Sequence, residues 1–309
     1  MKVLVTGGAG FIGSHIVERL VAQGRPVKVL DNFSTGRRGN LAGLNVEIIR
    51  GDITDFQTVY EATADCDLII HQAALASVPL SIQEPQLNHE INVTGTWNLF
   101  EAARQHQIKR VVYASSAAVY GDKPDLPCRL NATPNLISPY AAAKLMNESM
   151  AVSYNCAYGT EFIGLRYFNV YGPRQDPTSP YSGFLSICCN GAVNNKKVTV
   201  FGNGEQTRDF VYVKDVVEAN CLASKVAYHP KNRVFNVATG QSVSLNQVLE
   251  VFERLAQGKM RYTYGPARKN DIPHSAADIS HAAAQLGFKP KHRLEDGLAQ
   301  TLHWYQKSG

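Results

Sequence analysis

Short runs of β-branched and other apolar residues alternate, through the first half of the chain, with longer stretches whose apolar positions recur at helical spacing. Strands are expected at residues 2–6, 26–31, 46–50, 68–71 and 110–115. Between them Ile12, Ile16, Leu20 and Val21 share one helix face, and so do Val93, Trp97 and Phe100 ahead of Glu101-Ala102-Ala103. Alternation this regular predicts βαβ units, a parallel sheet and a doubly wound α/β fold. Past Arg166 the rhythm changes. Pro, Gly and Asn become frequent, as in Tyr171-Gly172-Pro173-Arg174, Asn190-Gly191 and Gly202-Asn203-Gly204, and only short strands and helices are expected. The division expected is one domain over 1–166 and a smaller α+β lobe over 167–309, with short segments returning to the first domain. No low-complexity linker separates the two, so the lobe should cap the sheet with a site between them.

The length of 309 residues suffices for a sizeable core. Net charge is +5, and charged residues make up 18%, below the usual quarter. The densest basic clusters, Arg37-Arg38 and Lys196-Lys197, are only pairs, which argues against a nucleic-acid partner. The six cysteines form no C-x-x-C and have no histidine at ligand spacing, so no metal site is expected and the thiols should be reduced and mostly buried. The first apolar run, Val3-Leu4-Val5, breaks at Gly7-Gly8, too short for a signal peptide. No window approaches the roughly 18 apolar residues of a membrane span. A cytoplasmic protein with no membrane partner is expected.

Glycines at 7, 10 and 13 follow the first strand and open the first helix. Without Cβ atoms the backbone can turn sharply and approach a pyrophosphate, which then meets the unpaired N–H groups of a helix N-terminus. Val27-Lys28-Val29-Leu30-Asp31 ends the second strand in an acid where an adenosine ribose would lie. Asp31 can accept from both ribose hydroxyls and would repel a 2′-phosphate, which favours NAD over NADP and makes the first domain a Rossmann domain. Asp52-Ile53, closing the third strand, could meet the adenine. Tyr140 and Lys144 follow Ser138-Pro139, a cap and a first-turn proline, and so share one helix face a turn apart. Bringing a tyrosine from about pH 10 to about 7 takes roughly 4 kcal/mol of phenolate stabilisation, which a neighbouring ammonium and an oxidised nicotinamide can supply. Alone, Tyr-x-x-x-Lys would equally suit a surface pair. The small residues and hydroxyls of Ser115-Ser116-Ala117-Ala118 end the fifth strand at the carboxyl edge of the sheet, where ligands bind in such folds.

With these motifs in this order, the chain resembles the extended short-chain dehydrogenase/reductase superfamily, and within it the nucleotide-sugar 4-epimerases. The carriers run nearly its whole length: GGAGFIGSH (7–15), VLDNFSTG (29–36), GDI (51–53), HQAALASVPLS (71–81), NVTGT (92–96), SSAAVYG (115–121), SPYAAAK (138–144), LRYFNVYGPRQDP (165–177), FGNGEQTRDFVYVKD (201–215), FNVATG (235–240) and the stretch 268–278. The resemblance implies NAD as cofactor and Ser116, Tyr140 and Lys144 as the catalytic triad. The Tyr phenolate would take the 4-hydroxyl proton as C4 gives up a hydride, and the keto sugar would turn over in the pocket before the hydride returns to its other face. Ser116 would bond the 4-oxygen, and Lys144 would orient the nicotinamide ribose. The other cofactor contacts implied are Gly7, Gly10, Phe11, Ile12, Gly13, Asp31, Asn32, Ser34, Thr35, Gly36, Asp52, Ile53, Gln72, Ala73, Ala74, Ala76, Asn92, Ser115, Tyr167 and Val170. Substrate contacts implied, besides Ser116 and Tyr140, are Ser77, Val78, Ala117, Asn169, Thr199, Val200, Phe201, Arg208, Arg268, Asp271 and Ser275.

Sugar 4,6-dehydratases place an Asp-Glu pair after a Thr where this chain has Ser116-Ala117-Ala118, and UDP-glucuronate decarboxylases carry a Glu there. Both reactions are therefore disfavoured. Two guanidiniums, Arg208 and Arg268, suit a diphosphate, and Asp271 a uridine ribose; Asn270 replaces the glycine more frequent before that Asp. Four residues past Asp271, epimerases restricted to UDP-glucose and UDP-galactose usually carry Tyr, whereas this chain has Ser275. The resemblance is strongest to bacterial UDP-N-acetylglucosamine 4-epimerases. Activity on UDP-glucose, UDP-galactose or a UDP-uronate is the alternative, and an NAD-binding sensor of the same fold is the non-enzyme one. A homodimer through the helices of 88–105 and 139–158 is also implied.

Overall fold

The structure, a computed structural model, describes residues 1–122, 125–177, 183–230, 233–256, 260–267 and 272–308. The first half runs β1 (Val3–Thr6), α1 (Phe11–Ala22), β2 (Val27–Asp31), β3 (Glu47–Arg50), α2 (Phe56–Thr63), β4 (Leu68–His71), α3 (Val78–Gln83), α4 (Pro85–His89), a π-helical turn (Glu90–Thr94), α5 (Gly95–Gln105), β5 (Arg110–Ser116), α6 (Pro139–Tyr158) and β6 (Glu161–Tyr167). The strands fall within one residue of their expected limits. Next come β7 (Asn169–Tyr171), α7 (Phe184–Asn194), β8 (Val198–Phe201), β9 (Thr207–Arg208), β10 (Phe210–Tyr212), α8 (Val213–Ala223), β11 (Val234–Val237), β12 (Val243–Ser244), α9 (Leu245–Leu255), β13 (Tyr262–Gly265), α10 (Ser280–Leu286) and α11 (Leu294–Ser308).

Seven parallel strands form one sheet in the order β11-β6-β5-β4-β1-β2-β3. The order reverses between β1 and β4, and ligands of doubly wound sheets bind outside the carboxyl ends of strands at such a reversal. Helices cover both faces, so β1, β2 and β4 are buried throughout, which explains their unbroken apolar runs. Alternation along β1 sends Val3 and Val5 to the face packed by Ile16, Val17 and Leu20 of α1 and Val216 and Ala219 of α8. Leu4 points to the other face, among Leu99, Phe100 and Ala103 of α5 and Ala151 of α6. Trp97, on the helical face expected to be buried, is 43% exposed and lies beside Phe56 with ring centroids 6.3 Å apart.

The second half differs from the expectation of short elements: α7, α8 and α9 have 11 residues each and α11 has 15. In α7 poor helix formers such as Cys188, Cys189, Asn190 and Gly191 hide the pattern, and tertiary packing overrides propensity. Gly191 is required there, since a Cβ would lie 2.5 Å from Val198 Cγ2 of β8. Helix α9 opens with a capping box, Ser244 with Gln247, that is visible in the sequence. The 166/167 line falls inside β6, and β11 and α8 complete the main sheet and its helical layer. The remaining short strand pairs, with α7, α9 and α11, surround a separate apolar cluster that includes Leu185, Val200, Tyr212, Leu249, Phe252 and Leu298.

Candidate active site

At the carboxyl end of β1, Gly7 has φ +64°, and a Cβ there would lie 2.7 Å from the Ala73 nitrogen at the end of β4. A Cβ on Gly13 would meet the Gly7 oxygen at 2.1 Å. The three glycines thus let β1, β4 and α1 converge. Gly10 caps α1 without a side chain and no acid occupies the first turn, so the N–H groups of Phe11 and Ile12 at the helix start suit an anion. At the tip of β2, Asp31 is buried, its carboxylate accepting from the Ala9 and Phe33 N–H groups at 2.8 Å each. A Cβ on Gly36 would come within 2.8 Å of that carboxylate, so the loop of Asn32, Ser34 and Thr35 folds closely over it.

Asn32 donates to Asp52 at 2.7 Å and fixes the neighbouring pocket. Partial burial raises the Asp52 pKa, but bonds from the Thr54 N–H, the Asn32 amide and the Thr54 hydroxyl outweigh it and hold the group below the usual carboxylate value. Ile53 is buried against Gly95 of α5. Gln72 receives the Tyr167 hydroxyl at 3.2 Å, and Ala73, Ala74 and Ala76 continue the loop. Asn92, in the π-helical turn, spends its amide on both backbone atoms of Leu75 and on Asn88, so it braces this loop from behind. Glycine cradle, bare helix terminus and terminal acid together fit a dinucleotide. These residues would hold the pyrophosphate, the adenosine ribose and the adenine of NAD.

The residues expected to be catalytic rest on β5 and α6. Ser138 caps α6 by accepting from the Ala141 N–H, Pro139 occupies the first turn, and the Tyr140 N–H donates to Ser81 Oγ at 3.2 Å. The Ser116 side chain acts on the Tyr140 hydroxyl in the direction that favours the phenolate. Ser116 Oγ also accepts from the Ala118 N–H at 3.1 Å, so its proton is free to be donated. Lys144 Nζ donates to the Ala114 carbonyl at 2.9 Å. Burial lowers the Lys144 pKa to about 8. Burial raises that of Tyr140 above its ordinary value, with the Ser116 side chain opposing it. Ser115 differs from its neighbour: its hydroxyl is buried and donates to Glu148 at 2.5 Å.

Beside this edge lies a cavity of about 340 Å³ lined by Asn169, Val170, Thr199, Phe201 and Arg208. Tyr167, two residues before Asn169, is the register partner of Ser116, so the cavity begins next to the catalytic strand. Val200 is oriented otherwise: alternation along β8 turns its side chain into the lobe core, fully buried. Gln206, Phe210 and Leu245 also line the cavity; the sequence marked the first two only through the stretch 201–215 and Leu245 through no motif. Arg268, Asn270 and Asp271 lie outside the described residues. Ser275 runs alongside β9, its N–H donating to the Thr207 carbonyl at 3.1 Å. Two residues on, Ala277 packs in the cluster that holds Ala117, which follows Ser116. Ser77 caps α3 by accepting from the Leu80 N–H, and Val78 follows it at the surface, 37% exposed.

Residues 3–238 match the NAD dependent epimerase/dehydratase family. The UDP-glucose 4-epimerase of Lactobacillus helveticus is 35% identical over 322 residues, covering 99% of this chain and 97% of the relative. Among solved structures, the UDP-N-acetylglucosamine 4-epimerase from Methanobrevibacter ruminantium M1, in complex with UDP-N-acetylmuramic acid, superimposes with a TM-score of 0.95 at 38% identity, covering 100% of this chain and 99% of that one. The UDP-glucose 4-epimerase of Thermus thermophilus in complex with NAD gives a TM-score of 0.92 at 37% identity, covering 100% of both chains. Among the described residues no helix is long and apolar enough to cross a membrane.

Proposed function

The chain belongs to the NAD-dependent epimerase/dehydratase family, and from that premise we propose that it is a UDP-sugar 4-epimerase whose substrates are UDP-N-acetylglucosamine and UDP-N-acetylgalactosamine. The observation that carries the reaction type is Ser116 at the end of β5, acting on Tyr140 of α6 and followed by Ala117 and Ala118 rather than by carboxylates. With no acid or base after Ser116, elimination of water across C5–C6 has no catalyst at that position, whereas a single proton transfer at O4 has one.

Tyr140 takes the proton from the sugar 4-hydroxyl and gives it back after inversion. Bound NAD supplies the hydride acceptor at C4 and the donor that restores it, so no net oxidation occurs. Ser116 donates to the 4-oxygen where charge changes, and Lys144 holds a positive charge one turn below the phenol. Arg208 pairs with the diphosphate through its planar fork, and Asn169 and Phe201 line the nucleotide side of the cavity. Arg268 and Asp271 are assigned to the same nucleotide.

Preference for an N-acetylated sugar rests on Ser275, whose small side chain leaves space at C2 that a tyrosine would fill. Ser275→Tyr should abolish turnover of UDP-N-acetylglucosamine while UDP-glucose still reacts. Parallel loss of both, or no change in either, would remove the support for the N-acetylhexosamine assignment. We further assign a cytoplasmic homodimer: Trp97 of α5 and Met146 and Val152 of α6 are each more than 40% exposed on the two helices that would pair. Light scattering giving a monomer mass would overturn the dimer.

A further inference from the structure

We propose that Tyr120 is a positioning residue that sets the segment carrying Ser275 against the strand carrying Ser116, and through it the fit of the sugar. The inference rests on the proposed role of Ser275. Its basis is an unbroken buried hydrogen-bond path between those two elements, of whose members only Ser115 has been given a role at the site, as a cofactor contact.

The path starts at Ser115, beside the catalytic serine, which donates to Glu148. Glu148 stands on the same face of α6 as Tyr140 and Lys144, four residues past the latter. Arg166, near the end of β6, clamps Glu148 with Nε at 2.9 Å and Nη2 at 2.7 Å, in a pair whose side chains are 7% and 8% exposed. The third Arg166 contact, Nη1 at 2.9 Å, goes to the Tyr120 hydroxyl. That hydroxyl donates in turn to Asn236 Oδ1 of β11 at 2.7 Å. The Asn236 amide donates to the carbonyls of Cys128 and Asp278 at 2.9 and 3.1 Å. Backbone bonds from Cys128 to Ala276 and from Asp278 back to Cys128 complete the hold on the residues just after Ser275.

Every direction in this path is forced. A guanidinium only donates, so the Tyr120 oxygen accepts from Arg166 and must point its single proton at Asn236. Asn236 then has to present its oxygen to Tyr120 and its amide to the two carbonyls. A phenylalanine at 120 keeps the ring and removes the one atom that joins Arg166 to Asn236. Asn236 then keeps its amide on the two carbonyls but loses the partner of its oxygen, and the 276–278 segment loses its link through Arg166 and Glu148 to the strand of Ser116.

Tyr120→Phe, purified with its bound NAD, is assayed with UDP-N-acetylglucosamine and with UDP-glucose. The expected result is retained NAD, kcat within about twofold of the parent, and a KM for UDP-sugar raised about fivefold, in the range of couplings carried by such networks. The ratio of kcat/KM between the two sugars should move at least about threefold, and Ser275→Tyr should discriminate less sharply in the Tyr120→Phe background than in the parent. A purely structural tyrosine would lower the melting temperature while leaving the KM and the sugar ratio unchanged, with additive effects in the double variant; that result overturns the proposal. Should Tyr120→Phe fail to hold NAD, Asn236→Ala, which leaves Ser115, Glu148 and Arg166 paired, carries the same expectations and the same overturning result. If the parent turns over only UDP-glucose and UDP-galactose, the substrate assignment fails separately, and the KM for UDP-galactose still tests the network.

Discussion

Lys144 sits one helical turn beyond Tyr140 with its ammonium 5.7 Å from the centre of the Tyr140 ring, close enough to act on the phenol's charge without bonding to its oxygen. Ser116 is the side chain that acts on the phenol oxygen, and the Ala114 carbonyl tethers the ammonium. Charge and hydroxyl thus come from different elements, α6 and β5. The helix spacing fixes the first and the strand end fixes the second.

Removing the acid-base group should separate chemistry from binding. Tyr140→Phe should lower turnover by about 10² to 10⁴ while NAD stays bound and the affinity for UDP-sugar changes little. Steady-state rates with calorimetric titration of UDP check this. Ser116→Ala should cost less, because it deletes a hydrogen bond to the developing charge and leaves the base in place.

The diphosphate contact should show in binding alone. Arg208→Leu should raise the KM for the UDP-sugar by about 10- to 100-fold, the worth of hydrogen bonds to a charged group, with the NAD content unaltered. Loss of NAD from this variant would mean that Arg208 serves the fold and not the substrate.

One buried histidine, His71, and one largely covered, His15, make the protein acid-sensitive. Burial lowers the His71 pKa to about 3, with the nearby Lys144 charge adding to it, and His71 bridges Thr6 and Thr96 at 2.7 and 3.1 Å. Burial likewise lowers His15 to about 4, the Pro173 carbonyl opposing and Arg174 reinforcing the shift. Below the ordinary value of 6.5 the unfolded chain takes up protons that the folded one refuses, so stability is present above pH 6.5 and is lost as the pH falls towards 4. The loss is about 1.4 kcal/mol per pH unit for each histidine. His15→Gln should flatten the slope of urea-measured stability against pH by about that amount over this window.

The legible parts of the sequence were those whose physics is local. The glycine turn, the Asp31 terminus and the Ser138-Pro139 cap each needed only neighbouring residues, and each stands where its spacing put it. Hidden parts depend on contacts far along the chain. Asp209 follows Arg208 in sequence, yet its role is visible only in space: fully buried, it accepts from Thr239, Gly240 and Ala277. Asn92 braces Leu75 from inside a π-helical turn that no periodicity announces. Val200 shows a further limit: a motif does not say which face of the strand a side chain takes, and that of Val200 turns into the lobe cluster.

The most direct test of the central claim is to incubate the purified protein, without added cofactor, with UDP-N-acetylglucosamine and separately with UDP-N-acetylgalactosamine, and to resolve the products by capillary electrophoresis. We expect each to convert to the other until both reactions reach the same mixture, with no free keto sugar and no net change in NAD. Failure to convert either sugar, while UDP-glucose and UDP-galactose interconvert, would contradict the assignment.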